Sequence, residues 1–125
     1  MYRLTFDAAG KITNSLGDRP EAVRQTARKE TMAPIDLNAM DKLFHEALRP
    51  ADAHVAFAGK DTTLHDDYGS YELAKCVVQG IRQAKVPIAK YLFEMPSFDP
   101  AHPDPVRKFN VPAEPAADAQ RPYGQ

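Results

Sequence analysis

The order helix, short extended piece, helix, loop, helix predicts an α/β fold that is mostly helical, with few short strands and a Pro-rich tail. Three segments place apolar residues at helical spacing, and brief apolar runs edged by Pro or Gly lie between them. Only one of those runs reads as a central strand. A parallel sheet covered on both faces needs several, so strands are expected to be missing from this chain.

The elements follow in order. Tyr2-Arg3-Leu4-Thr5-Phe6 alternates in period 2, turns at Asp7-Ala8-Ala9-Gly10 and resumes at Lys11-Ile12-Thr13, a hairpin-like pattern. Asp18-Arg19-Pro20-Glu21 starts a helix: Asp18 can cap, Pro20 suits the first turn and Glu21 favours the positive end of the dipole. Its narrow stripe of Ala22, Val23, Thr26 and Ala27, ending near Glu30, fits a surface helix lying on a sheet. Residues 32–37 form a short apolar run that Pro34 pushes toward a sheet edge. Asn38 then caps a second helix, with Met40, Leu43, Phe44, Ala47 and Leu48 on one face and Arg49-Pro50 as its stop. Residues 54–58 read as a further extended piece ended by Gly59. The longest helix is predicted from Asp66 to Lys85, with Tyr71, Ala74, Val77, Val78, Ile81 and Ala84 lining one face and Pro87 beyond it.

Of 11 prolines, seven lie from Pro96 onward. The compact unit is therefore expected over residues 1–93, followed by an irregular tail over 94–125 that Phe98 and Phe109 anchor. Sixteen basic residues oppose 17 acidic ones, net −1, with no charged face, which gives no electrostatic case for nucleic acid or an anionic membrane. No apolar stretch approaches the ~20 residues of a membrane span, and the first fifteen residues carry no signal-peptide core. The single cysteine, Cys76, excludes an internal disulfide and reads as a buried, inert thiol within a helix.

The densest polar cluster is Asp61-Thr62-Thr63-Leu64-His65-Asp66-Asp67. An aspartate and a histidine on one short turn can act as an orienting pair, the carboxylate holding one ring N–H and leaving the other nitrogen as a general base. The commoner role of such acids is helix capping, with the histidine in solvent. A nucleophile is harder to find. Ser15, Ser70 and Ser97 lie outside any G-x-S-x-G elbow or Gly-Asp-Ser turn, and no Gly-rich loop offers an oxyanion pocket. Asp61 and His65 are at i, i+4, but His45, His54 and His102 stand isolated without His-x-x-x-His or Cys pairing. No metal site and no cofactor are therefore expected.

The string from Lys60-Asp61-Thr62-Thr63-Leu64-His65 through Tyr68-Gly69-Ser70-Tyr71-Glu72 resembles the final block of SGNH/GDSL-type esterases, in their rhamnogalacturonan acetylesterase-like branch. There the block reads Asp-x-Thr-His, three residues, then Tyr-Gly-Ala-Tyr-Glu. Phe6-Asp7-Ala8-Ala9-Gly10-Lys11-Ile12, Gly17-Asp18-Arg19-Pro20-Glu21, Pro34-Ile35-Asp36-Leu37 and Phe98-Asp99-Pro100-Ala101-His102-Pro103 resemble further strings of that branch. The resemblance implies the C-terminal half of a three-layer, flavodoxin-like SGNH fold. The nucleophilic Ser and the Gly and Asn blocks of the oxyanion hole would then lie upstream of Met1.

The resemblance places Asp61 at the family's catalytic Asp, but Leu64 occupies the catalytic His position and His65 falls one residue late. Tyr68 and Gly69 keep the register, so the difference reads as a substitution. A leucine takes no proton, and loss of a triad base costs several powers of ten in rate. The implied activity is removal of acetyl groups from pectic polysaccharide by enzymes that are often secreted or periplasmic. This chain is expected to be inactive alone or to need its missing N-terminal half. The alternative is a non-catalytic module whose exposed half-sheet drives self-association or binding of another protein.

Overall fold

The computed structural model describes residues 4–92 and 94–109. The expectations for Tyr2 and Arg3, for the boundary at residue 93 and for the last sixteen residues of the tail lie outside them.

Three helices dominate: α1 (Arg19–Lys29), α2 (Leu37–Asp52) and α3 (Asp67–Ala84). Short 3₁₀ turns follow at Ala53–Ala56, Pro87–Tyr91 and Val106–Lys108. Among the described residues no extended strand forms; two isolated antiparallel bridges join Phe6 to Ile12 and Phe57 to His65. The hairpin-like pattern at the start is thus reduced to one bridge around a turn in which the Asp7 carboxylate accepts the N–H groups of Ala9 and Lys11. It docks on α2 through Glu46, which takes the Ile12 N–H at 3.0 Å and the Lys11 ammonium at 2.8 Å. The two other extended runs predicted differ as well. Residues 32–36 are irregular, and residues 53–56 close into a 3₁₀ turn.

Helix α1 begins and ends within a residue of its sequence signals, but its stripe is not covered. Only Ala27 is buried and Val23 is 63% exposed, because no sheet among the described residues lies beneath it. Helix α2 is capped by Asp36, whose side chain accepts from the Ala39 N–H, and not by Asn38. Arg24 grips the same carboxylate at 2.6 Å and joins α1 to the start of α2. At Arg49 the backbone leaves helical geometry (φ 64°, ψ 157°), so the predicted stop appears as a kink inside Leu37–Asp52; the following proline disfavours the α region here, and the positive φ is a strained conformation for a non-glycine residue.

Helix α3 is capped by Asp66, which accepts the Gly69 N–H at 2.9 Å, and ends on Lys85 in the left-handed region. Its buried face is not the apolar stripe of the sequence. Tyr68, Gly69, Glu72, Lys75, Cys76 and Gly80 are buried, while Tyr71 is 45% exposed. Two glycines set this packing. A Cβ on Gly69 would lie 2.2 Å from the Ala56 carbonyl oxygen, and one on Gly80 would lie 2.4 Å from Ile35 Cγ2. The core gathers Phe44, Ala56, Phe57 and Tyr68, with Leu48, Leu73 and Phe109 packed around them. No helix among the described residues is long and apolar enough to cross a membrane.

Candidate functional site

The segment from Ala58 to Asp66 makes a tight reversal between the core and α3. The Ala58 N–H donates to the Leu64 carbonyl at 2.9 Å, and the Asp61 N–H to the Ala58 carbonyl at 3.0 Å. Gly59 supplies the positive φ, 61°, that the turn requires. Inside it the Asp61 carboxylate accepts the backbone N–H groups of Thr63 and Leu64, an Asx turn. Those N–H groups hold the Asp61 carboxyl below the ordinary aspartate range.

Asp61 and His65 are therefore not brought together. Asp61 is exposed and serves the turn; among the described residues no hydrogen bond or ion pair joins it to His65. Leu64 and His65 are consecutive residues of the bridged segment, and their side chains take opposite sides. Leu64 is 66% exposed, and His65 turns inward. Its ring stacks on Phe57 at 4.6 Å between centroids and lies 5.4 Å from the ring of His45. Burial pushes the His65 pKa down, with the charge of Asp41 opposing this and His45 adding to it.

His45 is the residue that sequence reasoning missed. Regarded there as isolated, it is 1% exposed and packed against Phe44 and Phe57. Its Nδ1–H donates to the Asp41 carbonyl at 3.0 Å, and the Asp41 carboxylate lies 2.8 Å from the same nitrogen. Among the described residues, the buried Nε2 atoms of His45 and His65 have no hydrogen-bond partner. Asp41, His45 and His65 each offer one ligand atom, all within 4.8 Å of one another. The signal was present as Asp41-x-x-x-His45, one helical turn apart beside Phe44. These polar residues were passed over because the helix was read only by its apolar positions.

A second polar group lies along α3. Glu72 is wholly buried and holds the Lys75 ammonium at 2.7 Å; Asp104 holds it at 2.7 Å from the other side. The Tyr68 hydroxyl donates to the Asp104 carbonyl at 2.9 Å. Phe98 lies 4.3 Å from Lys75 Nζ, and Phe109 packs on Tyr68 and Tyr71. Burial raises the Glu72 carboxyl against the pull of Lys75. Cys76 beside them is fully buried, and burial pushes its thiol up to about 12, a poor thiolate at neutral pH.

A groove of about 490 Å³ runs along α1 and α2, lined by Ile12, Asn14, Pro20, Arg24 and Glu46 among others; Asp61, Leu64 and His65 do not line it.

In sequence, the chain is 29% identical over 105 residues to rhamnogalacturonan acetylesterase RhgT of Bacillus subtilis (strain 168). The match takes in 74% of this chain and 45% of that relative, so the chain spans less than half of its length. No family model and no solved structure matches. The likeness is partial, and it supports a carbohydrate esterase-like resemblance.

Proposed function

We propose that this chain furnishes the acid-bearing C-terminal half of an SGNH-type carbohydrate O-acetylesterase and is inactive by itself. The observation that carries the reading is the likeness to a rhamnogalacturonan acetylesterase over 105 residues. The reaction proposed for the whole unit is attack of a serine on an acetyl carbonyl of pectic polysaccharide, with an imidazole taking the serine proton. Within this chain that route is open at three points. The sequence holds no Gly-Asp-Ser turn, Leu64 faces solvent where the base is expected, and among the described residues no hydroxyl sits on the buried Nε2 of His65.

The test is hydrolysis of p-nitrophenyl acetate and of acetylated rhamnogalacturonan. The purified chain is expected to match the buffer blank. The double variant Leu64→His, His65→Phe, mixed with the portion of the Bacillus subtilis relative that lies outside the matched span, is expected to rise above it. Turnover by the natural chain at ordinary esterase rates would refute the proposed inactivity.

A second reading, a self-associating or protein-binding module, is favoured by the large apolar residues left in solvent. Met32 is 67% exposed and Tyr91 76%. Sedimentation velocity separates the two: a monomer across the accessible concentration range removes the self-associating form of this reading.

A further inference from the structure

We propose that Asp41, His45 and His65 form a binding site for one divalent transition-metal ion of the zinc class. The inference goes beyond the esterase reading and does not depend on it. Its basis is convergence: helix α2 supplies Asp41 and His45 one turn apart, the turn before α3 supplies His65, and their ligand atoms all lie within 4.8 Å of one another. Three ligands around one ion need such mutual reach, closing by about an ångström onto bonds of roughly 2.0–2.2 Å.

Independent support comes from unanswered polar atoms. Among the described residues, Nε2 of His45, a side chain only 1% exposed, and Nε2 of His65 have no hydrogen-bond partner, while the Asp41 carboxylate beside them pairs with His45 Nδ1 at 2.8 Å. Buried polar atoms are rarely left so in native proteins. The tautomer points the same way. The Asp41 carbonyl can only accept, so Nδ1 carries the hydrogen; in the neutral ring Nε2 then holds the lone pair that a Lewis acid would take. A ring N–H held by a backbone carbonyl is also the usual outer contact of a metal-bound histidine.

The donor set selects the ion. Two imidazoles and one carboxylate suit Zn²⁺, Co²⁺ or Ni²⁺; Ca²⁺ and Mg²⁺ prefer all-oxygen shells. Phe44 and Phe57 close the apolar side of the cluster, and partly buried His65 leaves an approach from the turn. Once bound, the ion ties the segment before α3 to α2 and occupies His65 Nε2, so the same nitrogen no longer accepts a proton from a nucleophile.

The experiment is titration of the chelator-stripped chain with Co²⁺, read by the visible d–d bands of an ion in a low-coordinate nitrogen/oxygen site, followed by displacement with Zn²⁺. The wild-type chain is expected to saturate at one equivalent. His65→Phe, which keeps a ring against Phe57, and Asp41→Asn, which keeps volume, are expected to lose that endpoint. His102→Ala, at the exposed His102–Asp99 pair, is expected to keep it. A variant-free readout accompanies these: Zn²⁺ shifts the ring proton resonances of His45 and His65 and leaves those of His54 unmoved. Absence of a one-equivalent endpoint in the wild-type chain, its survival in folded His65→Phe, or its loss in His102→Ala would overturn the site.

Discussion

At the scale of single residues, the acids divide by what they hold. Asp36 caps α2 and receives Arg24, and the guanidinium beside it holds its carboxyl below the usual aspartate range. A depressed folded pKa contributes stability above the unfolded value, about 3.9, and that contribution is lost as pH falls through the folded one. Asp36→Asn keeps the cap and removes the charge. Its deficit against wild type is therefore expected at pH 6 and should shrink toward pH 3 in urea titrations; Asp36→Ala should lose a further ~1 kcal/mol with the cap. Glu72 behaves oppositely. Burial raises its pKa, so its contribution is present below the unfolded value and lost as pH rises through the folded one. Lys75→Met strands this carboxylate and is expected to cost roughly 3 kcal/mol near neutrality. Part of that loss should return in acid, where Glu72 takes a proton, and more should return in the Glu72→Leu, Lys75→Met pair. A pH-independent deficit in Lys75→Met would contradict this account of the triad.

At the scale of elements, helix positions were legible in the sequence and helix faces were not. The start of α3 is fixed by its Asp66 cap, whereas α1 begins after Asp18 with Pro20 in its first turn although the Asp18 side chain, expected to cap it, makes no cap hydrogen bond. The face of α3 was misread because its partner comes from far along the chain. Asp104 lies 29 residues beyond Lys75, and hydropathy alone gives no sign that Glu72 and Lys75 go inside. Asp61 and His65 stay apart for a local reason: the backbone N–H groups of Thr63 and Leu64 occupy the Asp61 carboxylate within the turn. Gly69 tests the packing directly. Helix propensity favours Gly69→Ala by about 1 kcal/mol, whereas the approach to the Ala56 carbonyl opposes it. A net loss of about 3 kcal/mol is expected by thermal unfolding. Gly80→Ala should be partly rescued by Ile35→Ala, since one side chain supplies the clash. A stabilised Gly69→Ala would show that α3 does not sit this close.

At the scale of the molecule, the buried apolar centre is small: Phe44, Ala56, Phe57 and Tyr68, with partly buried neighbours. Phe44→Ala should cost roughly 3–5 kcal/mol, comparable with the whole stability of a marginal domain. The variant is therefore expected to lose its cooperative transition in calorimetry, while Phe44→Leu keeps one. The segment after α3 adds to this small centre by returning along the helix it has just left. The Met95 carbonyl receives Arg82, the Phe98 N–H reaches Gln79, and Asp104 closes on Lys75. That return path makes residues 94–104 a latch for the helix behind them. A single protease nick before Asp104 would leave every helix intact in sequence yet open Lys75 and Glu72 to water, and the cleaved chain should unravel from its carboxyl end first.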